Sequence, residues 1–236
     1  MKAVATFAAF CFLITLACAQ DKPVPVGDES HHQQVLDNQY TRVFHVVVLP
    51  KQSTLVHQHD HDYVWVQIGA GDISNDLQGR PPAQVKLSDG QVRFTKGGFA
   101  DKVTNLADTP FVNITIEVKK PSTKAMCGAT WAGQGAGTVC APTSGAIGGA
   151  VTFVKAQNLQ TDAVEADSVI APSAYSIDAT GGPILIVALN QFTVKPTAAA
   201  EKKLGAGDVF WLGADQLASV VPGSGQPARL VTVEFK

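Results

Sequence analysis

Between residues 42 and 118 the chain is cut into runs of four to eight β-branched, aliphatic and aromatic residues, each closed by a turn rich in glycine, proline or aspartate. This rhythm is the strongest constraint on the fold. Runs so short suit strands, in which successive side chains point to opposite faces, and long helical periodicity is missing. Strands are expected at 42–49, 54–59, 63–68, 83–87, 91–94, 102–105 and 111–118. The punctuation between them includes Gly69-Ala70-Gly71, Arg80-Pro81-Pro82, Ser88-Asp89-Gly90 and Lys96-Gly97-Gly98. The expected class is all-β, a sandwich or barrel. Two stretches, 162–167 and 198–203, read as short helices.

The first nineteen residues have Lys2, an apolar stretch to Ala17 and the small-residue pattern Ala17-Cys18-Ala19, which is the pattern of a secretory signal peptide. The apolar stretch is too short for a spanning helix, and nothing later supplies the roughly 20 apolar residues one needs. The expectation is a secreted or periplasmic protein with no membrane span. A polar arm, 20–41, follows. With the leader removed, Cys127 and Cys140 are the remaining cysteines, and in an exported chain they are expected to form a structural disulfide. A net charge of −2, with only 16% charged residues, provides no basic stripe, so nucleic acid is not an expected partner. Neither a P-loop nor a Gly-X-Ser-X-Gly elbow is present.

The second half repeats the first weakly. Gly90-Gln91-Val92-Arg93-Phe94 aligns with Gly207-Asp208-Val209-Phe210-Trp211. At the same offset Val103 falls on Val220, Pro110 on Pro227, and Thr115-Ile116-Glu117-Val118 on Thr232-Val233-Glu234-Phe235. Duplication accounts for such an ungapped match. The copies differ in chemistry, because no histidine occurs after His61.

Half of the six histidines lie in His57-Gln58-His59-Asp60-His61-Asp62, directly before the strand run Tyr63-Val64-Trp65-Val66-Gln67-Ile68. Imidazoles and carboxylates together suit divalent zinc, manganese, iron, nickel or copper. Read with Gly69, and then with Gly90, Lys96-Gly97-Gly98, Asp101 and Asn105, these residues resemble the cupin superfamily. Its first motif has His-X-His, a carboxylate and a strand-ending glycine; its second has a glycine, a Pro-X-Gly turn, a histidine and an asparagine. Here Asp62 stands at the carboxylate position after a shortened gap, Lys96 replaces the proline, and Asp101 stands where the histidine would be.

The resemblance covers 42–118 well and 151–236 in outline. It implies two tandem cupin-like jelly-roll barrels, 42–120 and 151–236, joined by a glycine-rich disulfide loop at 121–150, with the second barrel degenerate. It also implies a divalent metal (Mn, Fe, Zn or Ni) held by His57, His59, Asp62 and Asp101. Strand phase gives the same register if one extra residue at Asp60-His61 reverses the face, so that Asp62 joins Val64, Val66 and Ile68 inside the barrel. His61 is then the outward turn residue. His45 is a strand residue that reaches the cavity if its phase is inward, Phe99 is expected to line a pocket, and His31-His32 belongs to the polar arm without a specific role. The function implied is a metal-dependent enzyme, of dioxygenase or isomerase type, on a small oxygen-rich molecule. The alternatives are a non-catalytic binder of a small ligand and a structural bicupin in a homo-oligomer.

Overall fold

The computed structural model describes residues 22–129, 139–140, 142–147 and 150–236, so the leader and most of the loop between the cysteines lie outside the described residues. The first half contains β1 (Val24–Pro25), a 3-10 turn (Val26–Asp28), β2 (His32–Asp37), β3 (Thr41–Val48), β4 (His57–His59), β5 (Asp62–Ile68), β6 (Gly71–Leu77), β7 (Ala83–Leu87), β8 (Val92–Thr95), β9 (Phe99–Asn105) and β10 (Phe111–Val118). Next come β11 (Ala125–Cys127), β12 (Pro142–Ile147), β13 (Ala150–Thr161), β14 (Val164–Ala171), β15 (Tyr175–Asp178), β16 (Ile184–Ala188), β17 (Phe192–Pro196), β18 (Lys202–Leu204), β19 (Val209–Leu212), β20 (Leu217–Pro222) and β21 (Ala228–Phe235). The expected class is therefore met. The two short helices are not: their residues lead into β14 and β18, where sheet pairing overrides a weak local preference.

The first half has two sheets, ordered β1-β4-β9-β6-β7 and β2-β3-β10-β5-β8. The second half repeats the topology as β15-β20-β17-β18 and β13-β14-β21-β16-β19, with β11 and β12 added along β13. Among the described residues no sheet closes on itself. Each half instead packs two sheets face to face, the first around Val26, Phe44, Val46, Ile73, Leu87 and Phe111, the second around Val169, Ile177, Ile186, Phe192, Leu204 and Leu230.

A third core lies between the halves and decides how strand phase must be read. Val64 and Val66 of β5 and Ile114 and Ile116 of β10 pack with Leu185, Val187, Val231 and Val233 of the second half. Strands β5 and β10 are thus buried on both faces, as near-continuous apolar runs allow. The aliphatic face of β5 points out of the first half, toward its neighbour. Its odd face, with Tyr63 and Trp65, points in with His57 and His59. The predicted reversal at Asp60-His61 does not occur. The error lay in equating the aliphatic side of β5 with the interior of its own half.

Candidate metal centre

The cluster forms where strand β4 lies between β1 and β9. Strand β4 pairs antiparallel with β9, placing His57 opposite Asp101 and His59 opposite Phe99. All three polar groups are buried, His57 at 1%, His59 at 3% and Asp101 at 3% exposure. Asp101 Oδ1 lies 3.4 Å from His57 Nε2 and 3.8 Å from His59 Nε2. That oxygen has no hydrogen-bond donor, an expensive arrangement for a buried carboxylate.

The third imidazole comes from the polar arm. His32, on β2, is 8% exposed, and its ring centroid lies 4.6 Å from that of His57 with the two planes tilted by 53°. Ligand atoms of His32, His57 and His59 all lie within 4.8 Å of one another. The arm thus has a specific place after all, because β2 pairs with β3 and sets His32 opposite Val46 on the inner face. The available signal was Glu29, a carboxylate three residues before His32.

Two imidazoles have their ring orientation fixed by a hydrogen bond on the far nitrogen. His57 Nδ1 donates to the Leu55 carbonyl at 3.0 Å, and His32 Nδ1 donates to Glu29 Oε2 at 2.6 Å. Each leaves Nε2 as a free lone pair, the arrangement that metal-binding imidazoles use. Glu29 is 1% exposed and also accepts from His31 Nδ1 at 2.8 Å, His31 N at 2.9 Å and Leu55 N at 3.2 Å. Burial alone would raise its pKa, but hydrogen bonds from His32, His31 and Leu55 hold it at about 2.

Burial lowers His59 to about 2, with repulsion from His57, His32 and Arg42 acting in the same direction, so it is a neutral imidazole. Burial likewise lowers His32, against the pull of Glu29. It raises Asp101 to about 6, against the pull of His57. Three buried imidazoles and one unsatisfied carboxylate are a donor set that fits a divalent ion.

The remaining expected residues lie elsewhere. Asp62 shares the outward phase of β5, and its carboxylate accepts from Lys96 Nζ at 2.8 Å, Gly97 N at 3.1 Å and Ser122 N at 2.7 Å. It ties the second-motif turn to the chain leaving the first half. A Cβ on Gly97 would sit 2.5 Å from the His61 carbonyl, so this close approach requires glycine. His61 is exposed at the bend. His45 faces the second half, with Nε2 3.2 Å from where a Cβ on Gly207 would lie, and does not line the cavity. Phe99 flanks His59, ring centroids 5.6 Å apart, while Tyr63 stacks on the same imidazole at 4.4 Å. Cys127 and Cys140 are bonded, as expected.

Among the described residues, the second half has no counterpart of the centre. Strands β3 and β14 are eight residues each and pair end to end with β10 and β21, so Val46 and Val169 correspond. His32 lies opposite Val46, and Lys155 lies opposite Val169. The pair His57 and Asp101 has its match in Ile177 and Ala218.

No protein-family model matches the sequence, and no curated protein matches it. Solved structures do. A cupin 2 conserved barrel domain protein from Leptotrichia buccalis is 8% identical with a TM-score of 0.52, covering 86% of this chain and 87% of that one. A putative glyoxylate induced protein from Pseudomonas aeruginosa is 14% identical with a TM-score of 0.61, over 90% and 88%. A variant of salicylate 1,2-dioxygenase from Pseudoaminobacter salicylatoxidans, in complex with gentisate, is 11% identical with a TM-score of 0.58, over 90% and 76%. The chain has the cupin fold.

Proposed function

We propose that this is an exported, tandem two-barrel cupin whose first barrel holds one divalent metal ion on His32, His57, His59 and Asp101 and acts on a small oxygen-rich molecule. The observation that carries the reading is the unsatisfied Asp101 oxygen facing two imidazole nitrogens at 3.4 and 3.8 Å, with a third imidazole beside them. A divalent ion held there supplies Lewis acidity to a ligand oxygen, and manganese, iron, zinc and nickel all suit the donor set. Tyr63 and Trp65 shape the cavity, and the second barrel, with aliphatic residues at the equivalent positions, supports the first. The repeated strand order supports the tandem arrangement. The Cys127–Cys140 disulfide supports an oxidising compartment, and among the described residues no helix is long and apolar enough to cross a membrane.

A dioxygenase reaction is supported by the likeness to salicylate 1,2-dioxygenase, whereas none of these neighbours speaks for the isomerase alternative. A non-catalytic binding role has one observation in its favour. Among the described residues lining the cavity, Tyr63 is the sole ionisable one apart from the four candidate ligands, and burial raises its pKa out of the useful range, reinforced by Asp101. Elemental analysis of untagged protein, beside the His57→Ala/His59→Ala double variant, tests the metal. One equivalent of metal in the native protein, lost in the variant, is expected; protein that stays metal-free after loading at neutral pH refutes the site. Oxygen consumption by metal-loaded protein against enediols, flavonoids and diketones then separates enzyme from binder.

A further inference from the structure

The three candidate imidazoles are not held alike, and the difference assigns a role to a residue outside the ligand set; the inference rests on the metal reading above. His57 and His32 are braced at Nδ1, by the Leu55 carbonyl and by Glu29. His59 is not. Its Nδ1 is buried without a hydrogen-bond partner, while its Nε2 lies 3.8 Å from Asp101 Oδ1. A ring that lacks such a bond can turn about χ2 and swing Nε2 away from the ion, unless something else holds its plane.

Tyr63 occupies that place. Its ring lies face to face with the His59 imidazole, centroids 4.4 Å apart and planes 21° from parallel. Turning the imidazole out of this plane would drive its edge into the phenol ring. Phe99 is 5.6 Å from His59 and 6.2 Å from Tyr63, so it stands beside the pair rather than on the far face of the imidazole. The restraint therefore falls on Tyr63. That ring is itself well fixed, because Tyr63 is 7% exposed and its strand pairs on both sides, with β8 and β10. The second half shows the converse. Ala179 stands two residues beyond Ile177, as His59 stands beyond His57, and Ile184 stands where Tyr63 does. At these two positions the imidazole and the aromatic ring are absent together.

We propose that Tyr63 is the positioning residue for His59 and acts through the face of its ring, not through its hydroxyl. The stack does for His59 what a hydrogen bond does for the other two imidazoles. It keeps Nε2 in place before the ion arrives, so less freedom is lost on binding.

The test is competitive metal titration of untagged protein against a chelator, with the visible bands of the cobalt form read alongside. Tyr63→Phe keeps the ring face and should match the native protein in affinity and spectrum. Tyr63→Ile, which puts in the residue that β16 carries there, should lower affinity by roughly two- to tenfold, the worth of one aromatic stack, and shift the cobalt bands. In a His59→Ala background the same substitution should cost nothing further. A loss in Tyr63→Phe equal to that in Tyr63→Ile overturns the ring-face role, and so does a loss that persists without His59. A Tyr63→Ile variant that only unfolds at lower urea, with native affinity and bands, overturns it as well. Tyr63→Leu takes the place of Tyr63→Ile if the latter fails to fold. Protein that takes up no metal overturns the metal reading beneath, whereas the other contrary outcomes, all read on metal-loaded protein, overturn the role of Tyr63 alone.

Discussion

Replacing Glu29 with glutamine changes one atom of a side chain that touches no metal, yet it should weaken metal binding by roughly ten- to a hundredfold. The carboxylate accepts four hydrogen bonds, two on each oxygen: His32 Nδ1 and His31 N on Oε2, His31 Nδ1 and Leu55 N on Oε1. An amide has one acceptor oxygen. If its nitrogen takes the Oε2 place, it points a donor at His32 Nδ1. His32 then gives up its bond, or turns to the tautomer that carries its proton on Nε2, where the lone pair for the metal should be. If the nitrogen takes the Oε1 place, it faces the Leu55 N–H instead, and the Leu55 carbonyl is what orients His57 at 3.0 Å. The first placement strips His32 of its brace, the second loosens the Leu55 segment whose carbonyl holds His57, and both leave a buried donor unpaired, at about 1–3 kcal/mol.

The assay is competitive metal titration of untagged protein against a chelator, with the visible spectrum of the cobalt form as a report on the ligand set. Glu29→Gln should lower affinity and alter the cobalt bands, and most of that loss should vanish in a His32→Ala background. A cost that is merely structural would appear as a lower melting temperature with an unchanged spectrum. That outcome, or the same fold-loss with and without His32, refutes the brace.

Three further predictions follow from the geometry. Asp101 is held at about 6, above the ordinary 3.8, so the folded chain binds its extra proton between these values and the contribution of this group to metal-free stability should fall as pH rises from about 4 to 6. The buried His59 and His32 give the opposite slope, so the contribution is read as the difference between the native protein and Asp101→Asn. At about 1.4 kcal/mol per pH unit the loss is on the order of 3 kcal/mol; Asp101→Asn should abolish it, and melting curves with chelator across this range check it. Asp62→Asn should keep one equivalent of metal while costing about 1–3 kcal/mol in urea unfolding, because its partners are Lys96, Gly97 and Ser122; loss of metal would return Asp62 to the ligand set. Opening the Cys127–Cys140 bond, which spans a sequence separation of 13, should lower stability by roughly 3 kcal/mol without displacing metal, measured as denaturation with and without reductant.

The turn-punctuated β pattern made the fold class legible, and motif spacing pointed to His57, His59 and Asp101 as neighbours. Three features were hidden for identifiable reasons. Strand β6 is mostly polar, Gly-Asp-Ile-Ser-Asn-Asp-Leu, and residues that are poor in strands by themselves are held there by pairing with both β7 and β9. His32 sits in His31-His32-Gln33-Gln34, whose composition is that of a solvated arm. Its inward place comes from pairing with β3, which no local pattern reveals. Asp62 was read inward because period-two alternation identifies two faces without saying which faces the interior.

That last ambiguity follows from the packing of one half of the chain against the other. In a lone barrel the aliphatic face of β5 would be the interior and the polar face solvent. Here Val64 and Val66 meet Leu185 and Val187 of the equivalent strand β16 across the junction between halves. The junction therefore supplies apolar burial that the interior of the first half does not have to supply, leaving room inside for three imidazoles, a carboxylate and polar amides. The second half shows the opposite choice. Ile184 and Ile186 of β16 turn inward at the positions of Tyr63 and Trp65, while Ile177 and Ala218 replace His57 and Asp101. Its interior is packed as a core, and Lys155, at the position of His32, is ion-paired to Asp167 at 2.8 Å. The apolar interior and the polar interior are thus divided between the two halves, so a polar substitution at Ile177 should be felt as unfolding, whereas His57→Ala should be felt first as loss of metal.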